Sequence, residues 1–261
     1  MGAKTILQNP KGPISGAEAL VRSLVAEGAN LIYGYPGGAI MPVYDELYKF
    51  QDHINHVLVR HEQGAAHAAQ GFARVSGQVG VCMATSGPGA TNLVTGIADA
   101  MIDSTPLVCI TGQVPSHLLG SDAFQETDII GISTPVTKWS YQITRVEEIP
   151  EIIAKAFYIA RSGRPGPVLV DITKDAQFGT SDFSYTPCTK IRSYKPVPET
   201  EENDLAQAAK LINAAKNPLI VWGQGVIWAK QRRSSVPLLK SQEFLLHGQF
   251  WAFLLSKPLI H

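Results

Sequence analysis

Short apolar runs rich in β-branched residues alternate with helical stretches over the first two thirds of this chain, and that alternation constrains the fold more than any other feature. Residues 31–33, 56–59, 80–85, 107–111 and 168–172 read as strands. Ser15 followed by Glu18 has the form of a capping box opening a helix to about Glu27. Further helices are expected over residues 41–49, 64–75, 91–100 and 147–160. Strands this short and this uniformly apolar are buried on both faces. Alternating with helices, they predict a doubly wound parallel α/β sheet. Ligands of such sheets bind in loops at the carboxyl ends of the strands, so the turns after Tyr33 and Thr85 belong near a site.

Residues 179–200 are rich in Ser, Thr, Tyr, Pro and Lys without an apolar period, and read as a linker. A second α/β unit opens beyond it, with a helix from about Glu201 to Ala215, a strand over 219–222 and the turn Gly223-Gln224-Gly225. The expected layout is an extension (1–14), a first domain (15–178), the linker (179–200), the start of a second domain (201–227) and an aberrant tail (228–261). That tail holds one acid, Glu243, against five Lys or Arg, and its run 250–255 shows no stripe or turn logic. Permissible codons read one nucleotide earlier restore a patterned sequence over 243–252, so a single-base loss near Trp228 would account for the switch. On that reading the tail does not fold.

Twenty-two basic residues balance 22 acidic ones, which argues against nucleic acid or a membrane as partner and for small-molecule chemistry or protein association. No stretch reaches the length of a membrane span. Cys82, Cys109 and Cys188 lack metal-ligand spacing and read as reduced thiols. With no signal-peptide or transit pattern at the start, the expected location is cytoplasmic.

Two constellations carry chemistry. Arg60-His61-Glu62-Gln63-Gly64-Ala65-Ala66-His67 lies at a strand-to-helix junction. Taken alone, Glu62 reads first as a helix-N-terminal acid favoured by the dipole. The two histidines, six residues apart, do not share a helical face and do not make a zinc site. Thr85-Ser86-Gly87-Pro88-Gly89-Ala90-Thr91-Asn92 places two glycines ahead of a helix, where the backbone can approach a ligand or simply turn tightly. It lacks the Gly-Lys-Ser/Thr ending of a P-loop, and residues 34–38 do not match the dinucleotide fingerprint.

In order, GYPGG, HEQGAAHAAQGFAR, TSGPGATN and GRPGPVLVDI resemble the pyrimidine-binding domain of thiamine-diphosphate enzymes, over about residues 15–225. The stretches 122–128 and 173–175 are more similar to acetolactate synthase than to other carboligases and oxidases of that superfamily. The resemblance implies that Glu62 bonds the aminopyrimidine ring nitrogen of thiamine diphosphate and so promotes loss of the thiazolium proton, a role helped by desolvation of the carboxyl. It further implies that Gly38 lies near the thiazolium, that Pro88 and Asn92 line the aminopyrimidine pocket, and that Phe124, Gln125 and Lys174 stand near a substrate channel completed across a dimer. Without the resemblance those three read as a core aromatic, a loop amide and a solvated lysine. Arg164 matches a flavin-contacting arginine, with FAD in a structural role.

The implied reaction decarboxylates pyruvate and joins the two-carbon unit to a second pyruvate or to 2-oxobutyrate, as in branched-chain amino-acid biosynthesis. The implied partners are further catalytic subunits, in a homodimer or homotetramer, and a small regulatory subunit. Mg²⁺ is expected to hold the cofactor diphosphate, but the Gly-Asp-Gly that supplies its site in the family does not occur here, so this chain alone is expected to be inactive. The alternative is a non-catalytic pyrimidine-type domain that pairs with a full-length subunit.

Overall fold

A computed structural model describes residues 10, 12–216, 219–223, 225–226 and 245–248. Two compact units divide at residues 195 and 196. In the first, β1 (Ile14–Ser15) leads into α1 (Gly16–Ala26), β2 (Leu31–Gly34), α2 (Met41–Lys49), β3 (Asn55–Leu58) and α3 (Glu62–Ser76). There follow β4 (Gly80–Ala84), α4 (Pro88–Asn92), α5 (Val94–Ile102), β5 (Leu107–Gln113) and α6 (Ile129–Ser133). The unit closes with β6 (Trp139–Ile143), α7 (Ile149–Arg161), β7 (Pro167–Thr173), α8 (Lys174–Phe178) and β8 (Thr180–Ser181).

Six strands form one sheet in the order β3-β2-β4-β5-β7-β6, and every pairing in it is parallel. The strand order reverses about β2 and β4, as a doubly wound sheet requires. All residues of β4, β5 and β7 are buried. With side chains alternating across the pleat, their apolar residues divide between two cores. Val81, Met83, Val108, Ile110, Val168, Val170 and Ile172 join α1, α2 and α7. Cys82, Ala84, Leu107, Cys109 and Leu169 join the alanine-rich faces of α3 and α5. Cys82 and Cys109 are direct register partners with their sulfurs 3.3 Å apart, buried and reduced.

The N-terminal helix forms as its capping sequence predicts: the Ser15 hydroxyl accepts from the Glu18 amide at 3.1 Å. Gly16 must be small, because a Cβ there would overlap the Ala176 carbonyl and come within 2.8 Å of Ile149. The helix expected from residue 64 instead begins at Glu62, with His61 as its N-cap accepting the Gln63 amide through Nδ1 at 3.2 Å. The helix expected over 91–100 is two helices, α4 opening at Pro88 and α5 at Val94. Proline at a first helical position, after Gly87 at φ 57°, sets that earlier start. β6, an edge strand half-buried for four of its five residues, is an additional strand: Trp139, Tyr141 and Ile143 alternate with Ser140 and Gln142 and face the core.

The segment 179–200, read from composition as a linker, is for most of its length part of the first unit. β8 pairs antiparallel with β1, and Phe183 is buried in the core, with Tyr185 and Ile191 packed against it. Tyr185 donates to Glu27, and Lys138 reaches the Tyr194 hydroxyl at 3.0 Å. Tyrosines and one phenylalanine thus do what a periodic apolar stripe does elsewhere, and composition alone hides them.

In the second unit α9 (Glu202–Ala214) has no buried residue, and β9 (Leu219–Trp222) pairs in parallel with β10 (Leu245–Gly248). β10 falls within the tail expected from residue 228. The rest of 228–261 lies outside the described residues, as do residues 1–9 of the expected extension.

In urea denaturation of the chain, Ser15→Ala should lose about 1 kcal/mol of stability. Gly16→Ala should lose more, about 3 kcal/mol, because rigid backbone and not a flexible side-chain end opposes the added methyl.

Candidate active site

Loops following the carboxyl ends of β2, β3, β4, β5 and β7 share one edge of the sheet, and the sequence-predicted residues divide by that edge. Glu62 is the first residue of α3 and is 8% exposed. Its Oε2 accepts from Asn92 Nδ2 at 2.9 Å, so α4 and α3 are joined by an amide-to-carboxylate bond. Its Oε1 lies 3.3 Å from where a Cβ on Gly89 would stand, and that Cβ would also come 2.7 Å from the Thr85 methyl. Gly89 therefore lets the turn after β4 close against the acid.

Thr85 also organises the turn after β2. Its hydroxyl accepts the Ala39 amide at 3.2 Å, while a Cβ on Gly37 would press to 2.5 Å from the Thr85 Cβ. Buried Gln177 of α8 donates to the Ala39 carbonyl at 2.8 Å and to that of Ile172 at 3.1 Å. Between these supports Gly38 is exposed, and a Cβ there would meet nothing within 4 Å. The backbone at Gly38 is thus fixed from behind and open in front. Pro88 is exposed within the Gly87–Gly89 turn.

Phe124 and Gln125 lie on the segment between β5 and α6. Phe124 is 88% exposed, which rules out the core-aromatic reading. Asp122 and Gln125 adopt positive φ values of 55° and 58°. The segment stands against the turn after β4: a Cβ on Gly87 would come 2.6 Å from the Gln125 carbonyl. Glu126 folds it locally, accepting the amides of Gly120 and, at 3.0 Å, Ala123. Those N–H groups, Gly120 first, hold its carboxyl below the ordinary carboxylate value. Lys174 opens α8 at the same edge and is half-buried. Arg164 is elsewhere. It precedes β7, at the opposite edge of the sheet, and binds Ser104 Oγ at 2.7 Å and the Ile102 carbonyl at 3.1 Å.

Several polar residues here had not been singled out from sequence. Asp171, fully buried in β7, accepts Thr111 Oγ1 at 2.6 Å, Gln142 Nε2 at 2.9 Å and Gln113 Nε2 at 3.1 Å. A carboxylate within an otherwise apolar strand was the available signal. Burial pushes its pKa up to about 6, against the three hydrogen bonds that favour the charge. Tyr44 and His56 stack edge to face with ring centroids 5.0 Å apart, and Tyr44 Oη and His56 Nε2 are buried without a hydrogen-bond partner beside Gly34. Burial raises the phenol well above its ordinary value and lowers the imidazole. Among the described residues no group of three or more His, Cys, Asp or Glu is placed to hold a metal ion, and no helix is long and apolar enough to cross a membrane.

Because the folded-state pKa of Asp171 lies above its unfolded value, its contribution to stability is fully present below about pH 4 and is lost as pH rises through about 6. Wild type should therefore gain up to about 3 kcal/mol relative to Asp171→Asn between pH 7.5 and 4. Urea titrations of both chains across that range check this, and a pH-independent difference would contradict it.

Residues 14–132 match the thiamine pyrophosphate enzyme N-terminal TPP binding domain. The chain is 56% identical over 216 residues to the acetolactate synthase large subunit of Corynebacterium glutamicum, a match covering 83% of this chain and 34% of that protein. It is 50% identical over 218 residues to the acetolactate synthase isozyme 1 large subunit of Escherichia coli, covering 84% and 38%. Against a probable acetolactate synthase large subunit of Methanocaldococcus jannaschii, the identity is 50% over 235 residues, covering 89% and 39%. The chain thus spans little more than a third of the length of these relatives. It contains the N-terminal domain of thiamine pyrophosphate enzymes and is homologous, over most of its own length, to acetolactate synthase large subunits.

Proposed function

We propose that the chain supplies the aminopyrimidine-activating half of an acetolactate synthase, which joins a two-carbon unit from pyruvate to a second pyruvate or to 2-oxobutyrate. One observation carries this reading: a carboxylate withdrawn from solvent, with Oε2 held by Asn92 and Oε1 left toward the space beside Gly89. When bound, thiamine diphosphate supplies a thiazolium carbon that adds to 2-oxo acids once deprotonated. Glu62 would hold a proton at Oε1 for the cofactor's aminopyrimidine, with Oε2 occupied by Asn92. Thr85 and Gln177 brace the turn at Ala39 and leave Gly38 open, and Pro88 and Asn92 would border the cofactor's aminopyrimidine. Phe124, Gln125 and Lys174 present an aromatic face, an amide and a cation to the incoming 2-oxo acid.

The described residues do not fit two other expected groups equally well. They include no acidic cluster for Mg²⁺, and no step here is assigned to it. Arg164 offers an exposed guanidinium suited to a flavin phosphate or ring, remote from Glu62 and already bonded to Ser104 and Ile102. A structural FAD contact at the far edge of the sheet is the role that suits it. The reading also entails association with further catalytic subunits, a small regulatory subunit as a candidate partner, and action in the cytoplasm.

Complementation tests the proposal. The chain is mixed with a full-length relative whose counterpart of Glu62 is glutamine, with thiamine diphosphate, Mg²⁺ and FAD, and acetolactate formation from pyruvate is followed. The wild-type chain should restore activity, and the Glu62→Gln chain should restore about 100-fold less. Equal restoration by both, or none by either, would refute the assignment.

A further inference from the structure

The segment between β5 and α6 brings Phe124 and Gln125 to the active-site edge, yet little of it is buried. Residues 120–122, 124, 125 and 128 are exposed, and Glu126 ties the turn only to itself. Asp175 holds the segment's start at Ser116, and the side chain that ties its far end to the sheet is Gln113. Gln113, the last residue of β5, is 1% exposed and uses both ends of its amide. Its Oε1 accepts the Val114 amide at 2.9 Å, and its Nε2 donates to the Thr127 carbonyl at 3.0 Å and to Asp171 Oδ2 at 3.1 Å.

The orientation of that amide is dictated from behind. Asp171 as a carboxylate only accepts, so it admits the Nε2 end of Gln113 and refuses the Oε1 end. Gln142 donates to the same Oδ2 and Thr111 to Oδ1, so the carboxylate is gripped from both neighbouring strands and cannot turn away. Three strands thus set one carboxylate, the carboxylate sets one amide, and the amide sets the Thr127 carbonyl two residues beyond Gln125.

We propose that Gln113 and Asp171 form a latch that positions the segment carrying Phe124 and Gln125 against the turn after β4, and so shapes the substrate side of the Glu62 cleft. Both act as positioning residues, since neither is placed to touch substrate. The link to a substrate channel rests on the function proposed above; the latch itself does not.

Hydrogen exchange followed by mass spectrometry on the whole chain is the test, comparing peptides from 116–128 with peptides from β4, β5 and β7. In Gln113→Met, which keeps the side-chain length without the amide, exchange in 116–128 should rise about tenfold with the strand peptides unchanged. Asp171→Leu is the second variant. It keeps roughly the side-chain size but offers Gln113 Nε2 no acceptor, and the same selective rise should appear. It also decides the matter if Gln113→Met fails to fold. Unchanged exchange in 116–128 in a folded variant would overturn the latch, and so would an equal rise in segment and strands, because that is the signature of general loosening. The Glu62 complementation reads the other proposal independently. A selective rise together with equal complementation by wild type and Glu62→Gln would leave the latch standing and remove its tie to the substrate channel.

Discussion

Burial of both faces of the central strands is the constraint from which the rest of this domain follows. β4, β5 and β7 are closed off by helices on either side, so their backbone polar groups are satisfied by one another and their side chains fill two separate cores. Chemistry has nowhere to go but the loops at the carboxyl edge. Asp171 is the exception that shows the cost: a carboxylate inside the sheet takes three side-chain donors to hold and still finds its ionisation made harder.

Those loops are too polar to be packed into place, and side-chain oxygens and amides hold them instead. Glu62 takes the Asn92 amide, Asp175 takes the Ser116 amide and hydroxyl, and Asp128 caps α6 through the Gly131 amide. Thr85 and Gln177 do the same for the turn before α2. The glycines contribute by omission. At Gly37, Gly89 and Gly112 a side chain would occupy the space through which neighbouring loops approach one another. This edge is therefore a meeting of loops fixed at their bases, with Glu62 between them.

Much of this was legible in the residues. The strands over 31–33, 80–85, 107–111 and 168–172 announce themselves by β-branched apolar runs, and Ser15 with Glu18 announces α1, because the physics there is local. The motif order around Glu62, Gly87 and Gly89 picks out loops that the structure brings together at the carboxyl edge of the sheet. What stayed hidden depends on partners far apart in sequence. Nothing near Gln113 signals that its amide meets Thr127 and Asp171, the latter 58 positions away. Arg164 sits in a recognisable motif, but which edge of the sheet it occupies depends on the direction of β7. A helix boundary moved from residue 64 to 62 because a histidine N-cap is an uncommon signal.

Phe183, Tyr185 and Ile191 fasten the polar stretch after β8 onto the first core. The domain is therefore longer than its last sheet strand suggests, and its true margin for excision lies past the tyrosine at 194, whose hydroxyl meets Lys138 and the Ser162 carbonyl. A protease admitted at Lys190 or Arg192 would sever that tyrosine from the chain before it, whereas a chain ended after α8 would uncover the cavity that Phe183 fills. Polar composition here disguises a strap as a tether, and the domain's autonomy is decided along the stretch that looks most dispensable.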